Sequence, residues 1–139
     1  MITDDYVSLE LAKLLKKKGF DQNCAHYYLD GTMYRHHPTE VLPIGKETFA
    51  APTLAQVMKW LREEKQIVIE IYLDGYYTKQ NGELCLNCFG YKIWTFFKHL
   101  DEQGNENPLW DDRLFDNGEL SSYNEATIEA IKYCLENLI

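Results

Sequence analysis

Pro52-Thr53-Leu54-Ala55-Gln56-Val57-Met58-Lys59-Trp60-Leu61-Arg62-Glu63 runs, within a few residues, into Ile67-Val68-Ile69-Glu70-Ile71-Tyr72-Leu73. In the first part Leu54, Val57, Met58 and Leu61 fall at i, i+3, i+4 and i+7, one buried face of a helix. Thr53 and Gln56 have the spacing of a capping box, in which side chain and backbone satisfy each other at a helix start. In the second part Ile67, Ile69, Ile71 and Leu73 point one way and Val68, Glu70 and Tyr72 the other, the alternation of a strand. A helix that hands over to a strand this abruptly decides for a mixed fold.

Upstream, Ser8 is the N-cap of an amphipathic helix with Leu9, Leu11, Ala12, Leu14 and Leu15 in its apolar stripe. Gly19 stops it, with Phe20 placed for the hydrophobic contact of a Schellman end. Cys24 to Leu29 reads as a strand, and Asp30-Gly31 is a two-residue hairpin turn into Thr32-Met33-Tyr34-Arg35. His36 to Ala51, with Pro38, Pro43 and Gly45, reads as a connection. Downstream, Thr78 to Glu83 is a turn around Asn81-Gly82. Tyr91 to Phe97 is a strand with apolar residues on both faces, which suits a central position. Lys98 to Ser121 is long and polar, with Gly104, Pro108 and Gly118, and reads as a loop. Ser122 and Glu125 form a second capping box, opening a helix whose stripe is Ala126, Ala130, Ile131, Cys134, Leu135 and Leu138. The expected architecture is one α+β domain over residues 1–139. Three helices pack on an antiparallel sheet of about four strands, in the order α-β-β-α-β-β-α.

With 139 residues, 45% of them hydrophobic, the chain is long enough for one core and far from the disordered class. Met1-Ile2-Thr3-Asp4-Asp5 is acidic where a signal peptide needs positive charge, and no apolar run approaches a membrane span. A soluble cytoplasmic protein without membrane contact is therefore expected. The net charge is −8, and residues 101–120 carry seven acids against Arg113 alone, so the rest of the chain sums to only −2. Phosphate binding needs Lys and Arg, so this balance argues against a general nucleic-acid binder. The one basic cluster, Lys13, Lys16, Lys17 and Lys18, ends the first helix, where cations suit the dipole.

Candidate chemistry is thin. Cys85-Leu86-Asn87-Cys88 is the one short metal-type motif, and Cys24 with His26 would complete a four-ligand zinc site. A continuous strand sends residues three apart to opposite faces, so a turn at Leu86-Asn87 would be needed to aim both sulfurs at one ion. Cys134 belongs to the stripe of the last helix. Reduced structural thiols are the preferred reading, with no metal and no cofactor. His36 and His37 are adjacent and diverge, and no carboxylate stands at a diagnostic spacing. The three serines, Ser8, Ser121 and Ser122, sit at helix starts where capping accounts for them. The acidic run fails the calcium-loop pattern counted from either Gly104 or Gly118. No catalytic constellation is expected. An enzyme would require a pocket joining His26 or His99 to a carboxylate.

Aromatics are the least ordinary feature. Ten tyrosines exceed what such a core needs, because every buried hydroxyl wants a partner. Tyr72, Tyr76, Tyr77 and Trp94, in or beside the predicted strands, are the candidate contact surface.

Ser8-Leu9-Glu10-Leu11-Ala12-Lys13-Leu14-Leu15-Lys16, Gly19-Phe20-Asp21, Lys59-Trp60-Leu61-Arg62-Glu63, Ile69-Glu70-Ile71-Tyr72 and the terminal Ala130-Ile131-Lys132-Tyr133-Cys134-Leu135-Glu136-Asn137-Leu138-Ile139 read as a set. Together with Pro52-Thr53-Leu54 they resemble a family of small phage-type proteins of gut-dwelling anaerobic bacteria, carried in prophages and other mobile elements. The resemblance leaves out 36–51 and 98–121. It implies a genomic setting and no chemistry. The expected role is a non-catalytic accessory protein that binds another macromolecule, a protein partner or a second copy. The alternatives are weak single-stranded nucleic-acid binding through sheet aromatics, and an acidic mimic of DNA that occupies a host groove.

Overall fold

Ser8 Oγ accepts from the Leu11 N–H at 3.2 Å and opens α1 (Leu9–Lys17), which buries Leu11, Ala12 and Leu15. The helix ends as the sequence indicates. Gly19 takes φ +87°, its N–H donates to the Lys16 carbonyl, and the Phe20 N–H reaches back to the Leu15 carbonyl at 3.0 Å. These are the two bonds of a Schellman motif, and they turn the Phe20 ring onto Trp60 at 5.2 Å between centroids. The computed structural model describes residues 5–36, 47–100 and 106–139.

β1 (His26–Leu29) and β2 (Thr32–Arg35) form a hairpin, with Asp30 and Gly31 both at positive φ, as a type I′ turn requires. β3 (Thr48–Ala50) pairs with the other side of β1, giving the order β2-β1-β3. α2 (Leu54–Glu64) starts with the capping box complete: Gln56 N–H to Thr53 Oγ1 at 3.1 Å, Thr53 N–H to Gln56 Oε1 at 2.8 Å. It buries Leu54, Val57, Trp60 and Leu61. It ends without a glycine, and Gln66 takes φ +56°, where a side chain costs about 1 kcal/mol. Gln66→Gly is expected to raise unfolding stability by roughly 0.5–1 kcal/mol in urea titration, since glycine is at ease in that conformation.

β4 (Ile67–Thr78) and β5 (Leu84–Leu100) form a long hairpin, and β6 (Glu106–Leu120) pairs with β5 on its far side. The second sheet is therefore β4-β5-β6, all antiparallel, with β5 central. α3 (Tyr123–Asn137) is capped by Ser122, whose side chain accepts from the Glu125 N–H. α2 and α3 close over one face of this sheet, and α1 packs against α3 and β3. The core joins Leu11, Leu15, Val57, Trp60, Leu61, Ile131 and Leu135 to Ile67, Ile69, Tyr91 and Ile93. The small sheet is tied on beside α1. Tyr28 Oη donates to the Val7 carbonyl at 2.7 Å, and Lys16 Nζ lies 4.9 Å over the Phe49 ring.

The class is α+β, and helices and hairpins follow one another as expected. The sheet count differs. Among the described residues six strands lie in two three-stranded sheets, where about four in one sheet were expected. Each sheet gains a third strand from a segment read as connection. β3 is only three residues long, too short for alternation to register. β6 carries Pro108, Gly118 and five acids, all unfavourable inside a sheet, yet tolerated here because β6 is an edge. Cys24 precedes β1 instead of starting it. Most of the 36–51 connection, including His37, and Asp101 and Glu102 lie outside the described residues. So do the side chains of 96–119, among them His99 and the remaining acids except as sequence.

Candidate interaction surface

Among the described residues, helices cover only one face of the β4–β5–β6 sheet. On its outer face the cross-strand pairs are Val68 with Trp94, Glu70 with Lys92, and Tyr72 with Gly90. Diagonal contacts knit these pairs together. Trp94 Nε1 donates to Glu70 Oε2 at 3.1 Å, and Lys92 Nζ lies 5.3 Å from the centre of the Tyr72 ring. Tyr72 and Trp94 are half-buried against these neighbours.

β6 pairs with β5 no further toward the β4–β5 turn than Phe89, opposite Leu120. From there to Thr78 and Leu84 the β4–β5 hairpin is a two-stranded arm. The turn is closed by Gly82 N–H to the Lys79 carbonyl, with Gly82 at φ +86°. On this arm Tyr76 is 69% exposed, and Leu73, Tyr77, Leu84 and Leu86 are 45–56% exposed. Tyr123, at the start of α3, meets Phe89 edge-on at 6.1 Å and extends the patch toward the body. Tyr76 and Tyr77, consecutive on β4, turn to opposite faces of the arm, Tyr76 with Leu86 and Tyr77 with Cys85, and Tyr72 and Trp94 share the adjoining sheet face with the Glu70–Lys92 pair between them. Leu73, Leu84 and Leu86 were not singled out from sequence. For Leu84 and Leu86 the signal was the Leu-x-Leu spacing after Asn81-Gly82, which continues the alternation of a hairpin.

The arm also resolves the geometry of the cysteine pair. β4 has one extra residue between Leu73 and Gly75, and β5 one extra between Leu86 and Cys88, so the pairs are Gly75 with Cys88 and Tyr77 with Cys85. Gly75 and Tyr77 share a face, so the bulge at Asn87 brings Cys85 and Cys88 to the same face. A bulge performs what a turn was expected to do. Cys88 packs over Gly75, where an added Cβ would come within 3.2 Å of its Cβ, and its thiol is 3.8 Å from Asp74 Oδ2. The Cys85 hydrogen bond pushes the Tyr77 hydroxyl pKa up. Cys24 and His26 belong to the other sheet's end. Among the described residues no group of three or more His, Cys, Asp or Glu is placed to hold a metal ion. Both arm thiols are partly exposed, so Cys85→Ser with Cys88→Ser is expected to cost less than about 1 kcal/mol. Elemental analysis of the native chain should find no stoichiometric zinc, and one zinc per chain would refute this.

A cleft of about 430 Å³ beside β1 is lined by Cys24, His26, Tyr27 and His36 with Gln22 and Asn23. Among the described residues it gathers two imidazoles and a thiol but no carboxylate. Burial pushes the Cys24 thiol pKa up, and its S–H points to the Gln22 carbonyl at 3.5 Å, the opposite of an activated nucleophile. His26 Nδ1 is buried and has no hydrogen-bond partner among the described residues, and the ring packs on Tyr6 at 4.5 Å. Two lysines of the basic cluster are held locally, Lys16 by Glu47 at 3.4 Å and Lys18, at the C-cap of α1, by the Ile139 carbonyl at 2.9 Å. No helix among the described residues is long and apolar enough to cross a membrane. No family model, no curated protein and no solved structure matches the chain.

Proposed function

We propose that this chain is a non-catalytic binding protein that docks on another protein through the β4–β5 arm. The observation that carries the reading is the apolar arm itself, five large side chains about half exposed or more on one two-stranded hairpin. Tyr76, Leu84 and Leu86 share one face of the arm, and exposed apolar patches of this kind mark contact sites, where tyrosines are enriched. Membranes suit the arm less well, because Asp74 and Glu83 flank it and the basic residues of α1 are elsewhere.

Base stacking is supported less. The Tyr72 ring already has Lys92 over it, and the Trp94 edge is held by a carboxylate that would repel phosphate. Acidic mimicry would rest on the side chains of β6, and only the charge of that strand speaks for it. If the resemblance to phage-type proteins reflects origin, a host protein is the natural target.

A photoreactive benzoylphenylalanine at Tyr76, with a control at exposed Lys59 on α2, tests the reading. Irradiation in cells should give a discrete protein adduct from Tyr76 alone. No adduct, or the same adducts from both positions, would sink it.

A further inference from the structure

We propose that the helix-facing side of the β4–β5 arm is the seat of a basic amphipathic helix from another protein, which extends the layer that α2 and α3 begin. This deepens the docking reading above and rests on it. Ile67, Ile69 and Ile71 on β4 and Tyr91 and Ile93 on β5 face the helices, and Leu73 with Phe89 is the next pair of that row. Each strand then carries one bulge, so Tyr76 with Leu86 and Thr78 with Leu84 keep the same face. Tyr77 and Cys85 turn to the other. The row outlasts its cover. α3 starts beside Phe89, where Tyr123 meets that ring, and from there runs toward Ile93 and Ile67, away from the arm.

Length and width suit a helix. The uncovered part, Leu73 to Thr78 against Leu84 to Phe89, is about six residues or ~20 Å long, with its two strands ~5 Å apart. One helix of about 13 residues spans that length, and a single apolar stripe covers that width. The neighbouring stretch of the row is already covered in this way, by Val57 and Leu61 of α2 and Ile131 and Leu135 of α3. The exposed parts of Leu73, Tyr76, Leu84, Leu86 and Tyr123, all on this side, amount to roughly 400–700 Å² at ~150–250 Å² for each whole side chain. Apolar contact patches on monomers reach about 300–600 Å², so the seat is large enough to hold one helix.

Charge chooses the kind of helix. Asp74 and Glu83 lie on the arm, Glu125 at the start of α3, and Glu119 next to Leu120, the register partner of Phe89. Lys79 is the one basic residue of 67–89, and Glu83 holds it at 3.4 Å. Lys and Arg flanking the apolar stripe of the incoming helix therefore meet acids around the seat. A second copy would set the same acids against each other, in a chain of net charge −8.

Fluorescence anisotropy of a labelled Leu–Lys amphipathic peptide, about 18 residues long, titrated with the full chain under reducing conditions tests the seat. A dissociation constant on the order of ten micromolar is expected at about 50 mM salt, weakening severalfold at about 300 mM. Tyr76→Ser should weaken binding at least fivefold. Tyr77→Ser, next in sequence but on the other face, should change it less than twofold. Leu86→Gln repeats the first substitution on the same face if Tyr76→Ser fails to fold. A scrambled peptide keeps the charge without the stripe and should bind at least tenfold more weakly. Equal binding of the scrambled peptide, or equal effects of the Tyr76 and Tyr77 changes, overturns the proposal. So does a concentration-dependent dimer in sedimentation velocity that Tyr76→Ser abolishes, because a second copy would then fill the seat. The benzoylphenylalanine adduct at Tyr76 separates this inference from the docking reading. Its attachment site should lie in a Lys/Arg-rich amphipathic helix. An adduct on an acidic or extended segment overturns the helix and leaves docking in place, whereas no adduct removes both.

Discussion

Leu61→Ala is expected to lower unfolding stability by about 3 kcal/mol, within the 2–5 kcal/mol range of large-to-small changes at well-packed positions. Leu61 is fully buried, one turn from Val57, where α2 meets the sheet and the other helices. The lost methyl groups account for part of the cost. The rest is the cavity, which rigid neighbours such as Trp60 and Ile131 cannot fill. Urea titration should show a lower midpoint with an unchanged slope, and a loss below 1 kcal/mol would mean that α2 is not seated as described. Leu84→Ala on the arm supplies the contrast, because more than half of that side chain is already in water and little should change.

Raising the pH above 9 is expected to unfold the domain through two neighbouring protons. Burial pushes the Cys134 thiol from 9.0 up to about 12. Tyr91 is pushed from 10.0 up to about 12, by burial first and then by the charges of Glu129, Cys134 and Tyr133. The folded chain holds both protons more tightly than the unfolded chain does. Their contribution is therefore intact below about pH 9 and is lost as the pH climbs toward 12. For Cys134 the full shift corresponds to on the order of 4 kcal/mol, comparable with the whole stability of many small domains. Denaturant midpoints at pH 8, 10 and 11.5 should fall steadily. Cys134→Ala should start lower, because of its cavity, and fall less steeply. A midpoint flat from pH 8 to 11.5 would contradict the burial of both groups.

Local rules were enough where they acted within a few residues. Ser8, Thr53 and Ser122 cap the helices that they predict, Gly19 ends α1 with both Schellman bonds, and Asp30-Gly31 makes its hairpin. What stayed hidden depends on neighbours distant in sequence. β6 looks like a loop because Pro108 and its acids are unfavourable in isolation, and only the long β5 beside it makes a strand of them. The end of α2 falls on Gln66, with no glycine to mark it. Trp60 was absent from the expected stripe, because four residues already satisfied the period. The same-face cysteines follow from a bulge, and a bulge depends on the partner strand as much as on its own sequence. Of the candidate surface, Tyr72, Tyr76, Tyr77 and Trp94 were legible as surplus aromatics. Their division between a knitted sheet face and an exposed arm was not.

β5 leads a double life along its 17 residues. Around Tyr91 to Thr95 it has a strand on each side and helices on top, whereas from Leu84 to Cys88 its one described neighbour is β4. An isolated two-stranded ribbon is only marginally stable in water. Solvent deuterium should therefore enter the arm amides through fraying, within seconds to minutes. The amides of Ile93 and its flanking residues should wait for the whole domain to open. One strand would then report two free energies, with the break near Gly90.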